Sequence, residues 1–318
     1  MKPYQAPAWL PGGQAQTLWP LLIKPQPLKL RRERWTAPDG DFIDVDHLDG
    51  PPDAPWLVLF HGLEGSARSH YAISTAYACQ AAGWRLALPH FRGCSGELNR
   101  RPRAYHSGDS AEIDWILRRL HTANHGRPLH AAGVSLGGNA LLKWAGERGS
   151  TAAELVTGVA GMCAPLDLAA CGHHLAHGFN RVYTQHFLKT LKAVSAARLR
   201  RFPGLFDEIR MHQASNLYQF DDAVTAPLHG FAGADDYWQR ASAKPWLKSI
   251  AVPALAVNPT NDPFFPASHL PGAADVSPLV KLEQPAGGGH VGFVSDGFPG
   301  NLDWLPQRLL HFFLFETT

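Results

Sequence analysis

Absences do the first sorting of this sequence. Only four cysteines occur in 318 residues, Cys79, Cys94, Cys163 and Cys171, and none sits at paired metal-ligand spacing. That excludes a disulfide scaffold and a Cys-based zinc module, and it suits reduced, mostly buried thiols in a cytoplasmic protein. No sign of charge dominates: 29 Lys+Arg against 27 Asp+Glu leave a net charge of +2, so no polyanionic partner such as a nucleic acid is implied. No apolar run approaches the ~18 residues that a membrane span needs. Near the start the longest is Leu21-Leu22-Ile23, bracketed by prolines, so neither a transmembrane segment nor a cleavable signal is expected. Internal repeats and low-complexity tracts are also missing. What remains is 45% hydrophobic and 18% charged. That is the composition of a globular chain, long enough for one large α/β domain or two small ones.

The chain is organised around Leu129 to Glu147. Gly133-Val134-Ser135-Leu136-Gly137 follows an apolar run of strand length and precedes Leu136, Ala140, Leu141, Trp144 and Ala145 at helical spacing. Strand, sharp turn and helix make the setting of a nucleophile elbow. There the turn lifts the Ser135 hydroxyl above the sheet edge, at a helix N-terminus whose free N–H groups favour negative charge.

The rest of the chain alternates strand and helix. Trp35 to Pro38 and Phe42 to Leu48 read as a hairpin around Asp39-Gly40, the second strand alternating Phe42, Val45 and His47 against Asp44 and Asp46 with one slip. Trp56 to Phe60 is a run fit for a strand buried on both faces, ending in His61-Gly62-Leu63-Glu64-Gly65. Helices are expected over His70 to Gly83 and Ser110 to His121, the latter with the stripe Ile113, Ile116, Leu117 and Leu120. Trp84 to Pro89, Leu155 to Gly161, Ile250 to Val257 and Leu279 to Leu282 read as strands, and Leu302 to Phe315 as a last helix. This argues a mostly parallel, doubly wound sheet opened by an antiparallel hairpin. Residues 1–30, with Trp9, Trp19 and six prolines, read as an arm packed on the body without regular structure. Residues 166–248 read as helices alone, a helical cap inserted over the sheet's carboxyl edge, leaving 31–165 and 249–318 as the core of one domain. In it Phe179, Val182, Phe187, Leu191 and Val194 form an apolar stripe, surrounded by Arg181, Lys189, Lys192, Arg198, Arg200 and Arg201. A lid helix over the site is the plainer account of that stripe; contact of its basic flank with anionic lipid heads is the other.

A serine hydroxyl needs a base and an orienting acid. In this architecture the chain order is Ser, then Asp or Glu, then His, each acid or base following a strand. Asp262 fits, in the turn-rich Asn258-Pro259-Thr260-Asn261-Asp262-Pro263; Asp235, Asp236 and Asp296 are its rivals. His290 fits after Gly287-Gly288-Gly289, which let the backbone pass close to the site. The N–H groups of Leu136 and Leu63 are placed to form an oxyanion hole. Arg92, Ser95 and Glu97 read as braces of the neighbouring loop, and the role of Glu64 is open. His173 and His177 stand at i, i+4, but neither an HExxH pattern nor a second ligand cluster completes a metal site.

These stretches, in order, resemble one family. His61 to Ser66, His90 to Glu97, Tyr105 to Asp109, Gly133 to Asn139, Asp262-Pro263-Phe264 and Gly288 to Phe293 look like the YheT-like branch of the α/β-hydrolases. Trp9 to Gly13 with Gln16-Thr17, and Thr225-Ala226-Pro227 with Gly230-Phe231, extend the match over nearly the whole chain. The branch includes eukaryotic acylglycerol-lipase and phospholipase relatives. The resemblance implies a Ser135, Asp262, His290 triad, esterase or lipase chemistry on carboxylic esters or acylglycerols, and no metal or organic cofactor. Eukaryotic members often carry an N-terminal membrane anchor, a feature not expected here. Gln14 stands where many members have a histidine, which bears on the arm and not on the triad. Two other functions use the same scaffold: an acyltransferase or thioesterase with the same triad, and a non-catalytic binding protein.

Overall fold

The hairpin expected early in the chain is there, and it is heavier than its alternation suggests. In the computed structural model, which describes residues 1–23 and 25–317, β1 (Arg31–Thr36) pairs antiparallel with β2 (Phe42–Leu48). β1 starts four residues before the expected strand. Asp44 and Asp46 do not face solvent as alternation predicts. They are buried because Arg34 and Arg32 on β1 cover them, at 2.7 Å in each pair. A half-buried guanidinium shields each carboxylate, so one strand is buried on both faces.

The other strands fall on their expected runs, except that the one expected over Ile250 to Val257 begins only after Pro253, at Ala254. They are β3 (Trp56–Phe60), β4 (Arg85–Pro89), β5 (Leu129–Val134), β6 (Val156–Met162), β7 (Ala254–Val257) and β8 (Val280–Glu283). The sheet order is β1-β2-β4-β3-β5-β6-β7-β8, antiparallel at β1–β2 and β2–β4 and parallel elsewhere. Alternate residues of β3 enter two cores. Val58 and Phe60 join the apolar faces of α3 (Ser110–Ala123) and α4 (Leu136–Arg148); Leu57 and Leu59 join α2 (His70–Ala81) and the last helix, Trp304–Phe315. Helices on both faces explain why β3 and β5 carry no polar stripe.

The first thirty residues are more regular than expected. Gly13–Leu18 form α1, and Trp19–Leu21 a 3₁₀ turn with Pro20 in its first turn. Ala, Gln and Leu favour the helix, and its position is fixed from outside, as the site shows.

Between β6 and β7 run α5 (Leu168–Leu175), α6 (Arg181–Arg201), α7 (Glu208–Gln213), α8 (Leu217–Phe220), α9 (Ala226–His229) and α10 (Ala234–Ala241); α11 is the last helix, Trp304–Phe315. On α6 the apolar stripe is buried only in part. Val182 is exposed, as is Phe179 just before the helix, while Phe187, Leu191 and Val194 turn inward beside Ser135. Of the basic residues expected around the stripe, Arg200 and Arg201 are exposed but Arg198 is buried. No helix among the described residues is long and apolar enough to cross a membrane.

Candidate active site

Ser135 sits between β5 and α4 with φ 51° and ψ −119°, outside the regions open to ordinary residues. Such a conformation costs on the order of 1–3 kcal/mol and persists where the surroundings hold it. Here a Cβ on Gly137 would lie 2.6 Å from the Phe60 carbonyl oxygen, so β3 presses directly on the turn. The Ser135 N–H donates to the Met162 carbonyl at 2.8 Å, tying the turn to β6.

The structure brings the three residues singled out in the sequence together. His290 Nε2 lies 3.0 Å from Ser135 Oγ, and His290 Nδ1 lies 2.9 Å from Asp262 Oδ2. Asp262 is buried, and its Oδ1 accepts the Phe264 N–H at 2.8 Å. The Phe264 ring stacks on the imidazole, 3.8 Å between centroids and 14° from parallel, and restricts its rotation. The rival carboxylates are engaged elsewhere: Asp235 with Tyr218, Asp236 with Arg240, and Asp296 with Asn301.

The His290 loop is held by the N-terminal arm, which composition could not foretell. Thr17 Oγ1 accepts the His290 N–H at 2.8 Å and donates to the Gly13 carbonyl at 2.7 Å. Gln16 Oε1 accepts from the Gly288 N–H at 2.7 Å and from the Asn261 side chain at 2.9 Å. Gly289, at φ 57°, has no room for a Cβ, which would meet Thr17 Oγ1 at 2.7 Å. Gln14 bonds to Tyr183 on α6 and to Asn180 just before it, so the arm also fastens the helices between β6 and β7. Gln16-Thr17 stood out in the sequence only through resemblance; nothing in their chemistry announced a partner some 270 residues away.

On the other side of Ser135, the loop after β3 presents one free donor. The Gly62 N–H donates to Tyr71 Oη at 2.8 Å and the Glu64 N–H to Tyr105 Oη at 2.9 Å. Between them, the Leu63 N–H has no acceptor among the described residues, and neither does that of Leu136 at the start of α4. Glu64 adopts φ 54° and accepts the Tyr105 hydroxyl at 2.8 Å. His61 fixes the base of the loop: its Nε2 accepts the Phe91 N–H at 3.0 Å, so its Nδ1–H donates to the Gly62 carbonyl at 2.7 Å.

Burial pulls His61 down to about 3, against the attraction of the Gly62 carbonyl. The unfolded chain therefore binds a proton here that the folded one refuses, and stability falls as pH drops from about 6.5 toward 3. The slope approaches about 1.4 kcal/mol per pH unit. His61→Gln lacks this proton, so the stability gap between wild type and the variant should narrow between about pH 6.5 and 4.5 in urea titrations. A gap independent of pH would mean that the folded imidazole is already charged.

Two spaces meet at Ser135. One is an inner cavity of about 130 Å³ between the sheet edge and the helices that follow β6, reaching Leu175, Leu191 and Arg198. The other is an open groove of about 820 Å³ walled by Leu18, Leu21 and Ile23 of the arm and by Val182 and Phe187. Leu63, Glu64, Ser135 and Phe264 line both.

Cys163, at φ 50°, lies behind the acid–base pair, and its Sγ accepts the Val291 N–H at 3.2 Å. Burial, with Asp262 beside it, raises its pKa well above the ordinary value, so it stays a thiol. Among the described residues, Cys163, Asp262 and His290 are the one trio of metal-binding side chains whose donor atoms lie within 4.8 Å of one another. His173 and His177 do not converge on a third ligand: His177 Nδ1 bonds to the His173 carbonyl at 2.7 Å.

A family model described as the alpha/beta hydrolase fold matches residues 55–296. The chain is 38% identical over 305 residues to "Putative esterase YheT" of Escherichia coli (strain K12), covering 92% of this chain and 88% of that one. It is 28% identical over 320 residues to "Phospholipase ABHD3" of Mus musculus, covering 97% and 77%. Among solved structures, "The structure of DcsB complex with its substrate analogue" aligns with a TM-score of 0.58 at 14% identity, over 90% of this chain and 98% of that one. This last likeness is one of fold alone.

Proposed function

Since the chain belongs to the α/β-hydrolase family, we propose that it is a serine hydrolase of carboxylic esters, working through Ser135, His290 and Asp262 under a helical cap formed by residues 166–248. The observation that carries this is the continuous hydrogen-bonded line from Ser135 Oγ through both imidazole nitrogens to Asp262. Ser135 Oγ attacks the ester carbonyl carbon as its proton passes to His290 Nε2. Asp262 holds the tautomer with Nδ1 protonated and stabilises the imidazolium. The carbonyl oxygen, now an anion, takes the two free N–H groups of Leu63 and Leu136. Collapse of the tetrahedral adduct expels the alcohol, which receives the proton from His290 and leaves an acyl-Ser135. Water, deprotonated by His290 Nε2, then attacks the acyl carbon and releases the acid. No step in this sequence calls for a metal or an organic cofactor.

The open groove supports an ester with an apolar chain, because most of its wall is apolar, with Leu18, Leu21, Ile23, Val182 and Phe187 among its residues. The relatives called esterase and phospholipase point the same way. The test is a p-nitrophenyl ester series from acetate to palmitate, together with labelling by a fluorophosphonate probe. Stoichiometric labelling at Ser135 and hydrolysis with a chain-length optimum are expected. A protein that neither labels nor hydrolyses any member would instead be a binding module on this scaffold.

A further inference from the structure

Four charged side chains reach the wall of the inner cavity: Glu64, Arg92, Arg198 and Asp221. Three of them are engaged. Arg92 donates to Glu112 at 2.6 Å and to Asp39 at 2.8 Å. Asp221 accepts from Thr225 Oγ1 and from the Trp238 indole, and burial pushes it up to about 6. Glu64 accepts from Tyr105, and burial raises it too. Two imidazoles also line the cavity, His106 and His229; burial holds them down to about 4 and about 3, so neither is a cation at neutral pH.

Arg198 differs from all of these. Only 6% of it is exposed. Its guanidinium makes no hydrogen bond and no ion pair among the described residues; Glu64 and Asp41 act on it only at longer range. Arginine stays protonated in proteins and offers five donors. The Arg198 nitrogens are not among the fully buried atoms that lack a partner, so the guanidinium faces accessible space and is free to take an acceptor that enters it. The space beside it opens toward Ser135, and its volume is comparable with the ~150 Å³ engineered cavity that admits one benzene ring.

Resting on the ester-hydrolase reading, we infer that Arg198 is the specificity-determining residue of this site, and that the half of the ester entering the inner cavity is small and ends in an oxyacid anion, a carboxylate or a phosphate. The planar fork of the guanidinium pairs with two oxygens of such a group. Glu64 lines the same cavity, and burial makes its carboxyl easier to protonate, which lessens its repulsion of such an anion. The apolar half of the substrate then lies in the open groove, so the two spaces sort the two ends of the molecule by charge.

The experiment compares matched substrates in wild type and Arg198→Met. One pair carries the charge on the acyl side, 4-nitrophenyl hemisuccinate against 4-nitrophenyl butyrate. The other carries it on the alcohol side, decanoylglycerol phosphate against decanoylglycerol. Wild type should prefer the anionic member of one pair, which tells which half of the ester enters the cavity. Arg198→Met should lower that preference at least tenfold, chiefly through KM. Melting temperatures give a second readout that needs no turnover. Millimolar succinate or inorganic phosphate should raise the melting temperature of wild type and not of Arg198→Met, and the response to each separates carboxylate from phosphate. Without an anion, the variant should melt close to wild type, since the guanidinium makes no hydrogen bond or ion pair among the described residues that the substitution would break. A variant that melts lower, with unchanged discrimination and no anion response in wild type, would make Arg198 a structural residue and overturn the inference. If wild type hydrolyses none of the four esters, the hydrolase reading fails, and the melting data alone decide the anion site.

Discussion

Ser135→Ala should lose about 10⁴- to 10⁶-fold in kcat/KM on a p-nitrophenyl ester, with a melting temperature close to that of wild type. The substitution removes one oxygen atom, 3.0 Å from His290 Nε2, and nothing that carries the fold. The turn itself is held by backbone: the Ser135 N–H on Met162, and β3 against Gly137. Alanine inherits the same dihedral angles at similar cost. What remains after the substitution is substrate binding and the two free N–H groups, which together still exceed water by about 10³- to 10⁴-fold in enzymes of this kind. A loss smaller than tenfold would mean that His290 activates water directly and that no acyl-enzyme forms.

Asp262→Asn should cost about 10⁴-fold in kcat while leaving KM within a few-fold. The amide keeps the shape of the carboxylate, and its oxygen can still accept the Phe264 N–H now bonded to Oδ1 at 2.8 Å. Its NH₂ group then faces His290 Nδ1. That reverses the tautomer, puts the proton on Nε2, and leaves Ser135 Oγ without a base. Phe264 and the Thr17 bond hold the ring in place, so the imidazole is not free to turn and recover. Single-turnover kinetics should place the loss in acylation. Activity equal to wild type would show that the third group of the line is dispensable and that the stacked ring alone orients the base.

Much of this was legible in the sequence where one physical effect dominated. Trp56–Phe60 read as a strand covered on both faces and Leu129–Val134 as a run of strand length, and the order of Ser135, Asp262 and His290 followed from their places after strands. What was not legible depended on a partner remote in the chain. Alternation placed Asp44 and Asp46 outside because the covering arginines lie on another strand. Helical periodicity grouped Arg198 with its exposed neighbours because charge alone does not tell which side of α6 has a cavity under it. Pro and Trp in the arm hid a helix whose purpose is to hold Gly288 and His290.

The bonds from Gln16 and Thr17 to that loop span 272 and 273 residues of chain. Closing so long a loop is entropically late, and a nascent chain made from its N-terminus cannot close it before Gly288 and His290 have left the ribosome. The sheet from β1 to β6 can form during synthesis, with Ser135 already strained in its turn, while the base that would activate it is still unmade. Under the proposed mechanism, Ser135 therefore waits for its base, and the stitch between the arm and the His290 loop is the event that arms it.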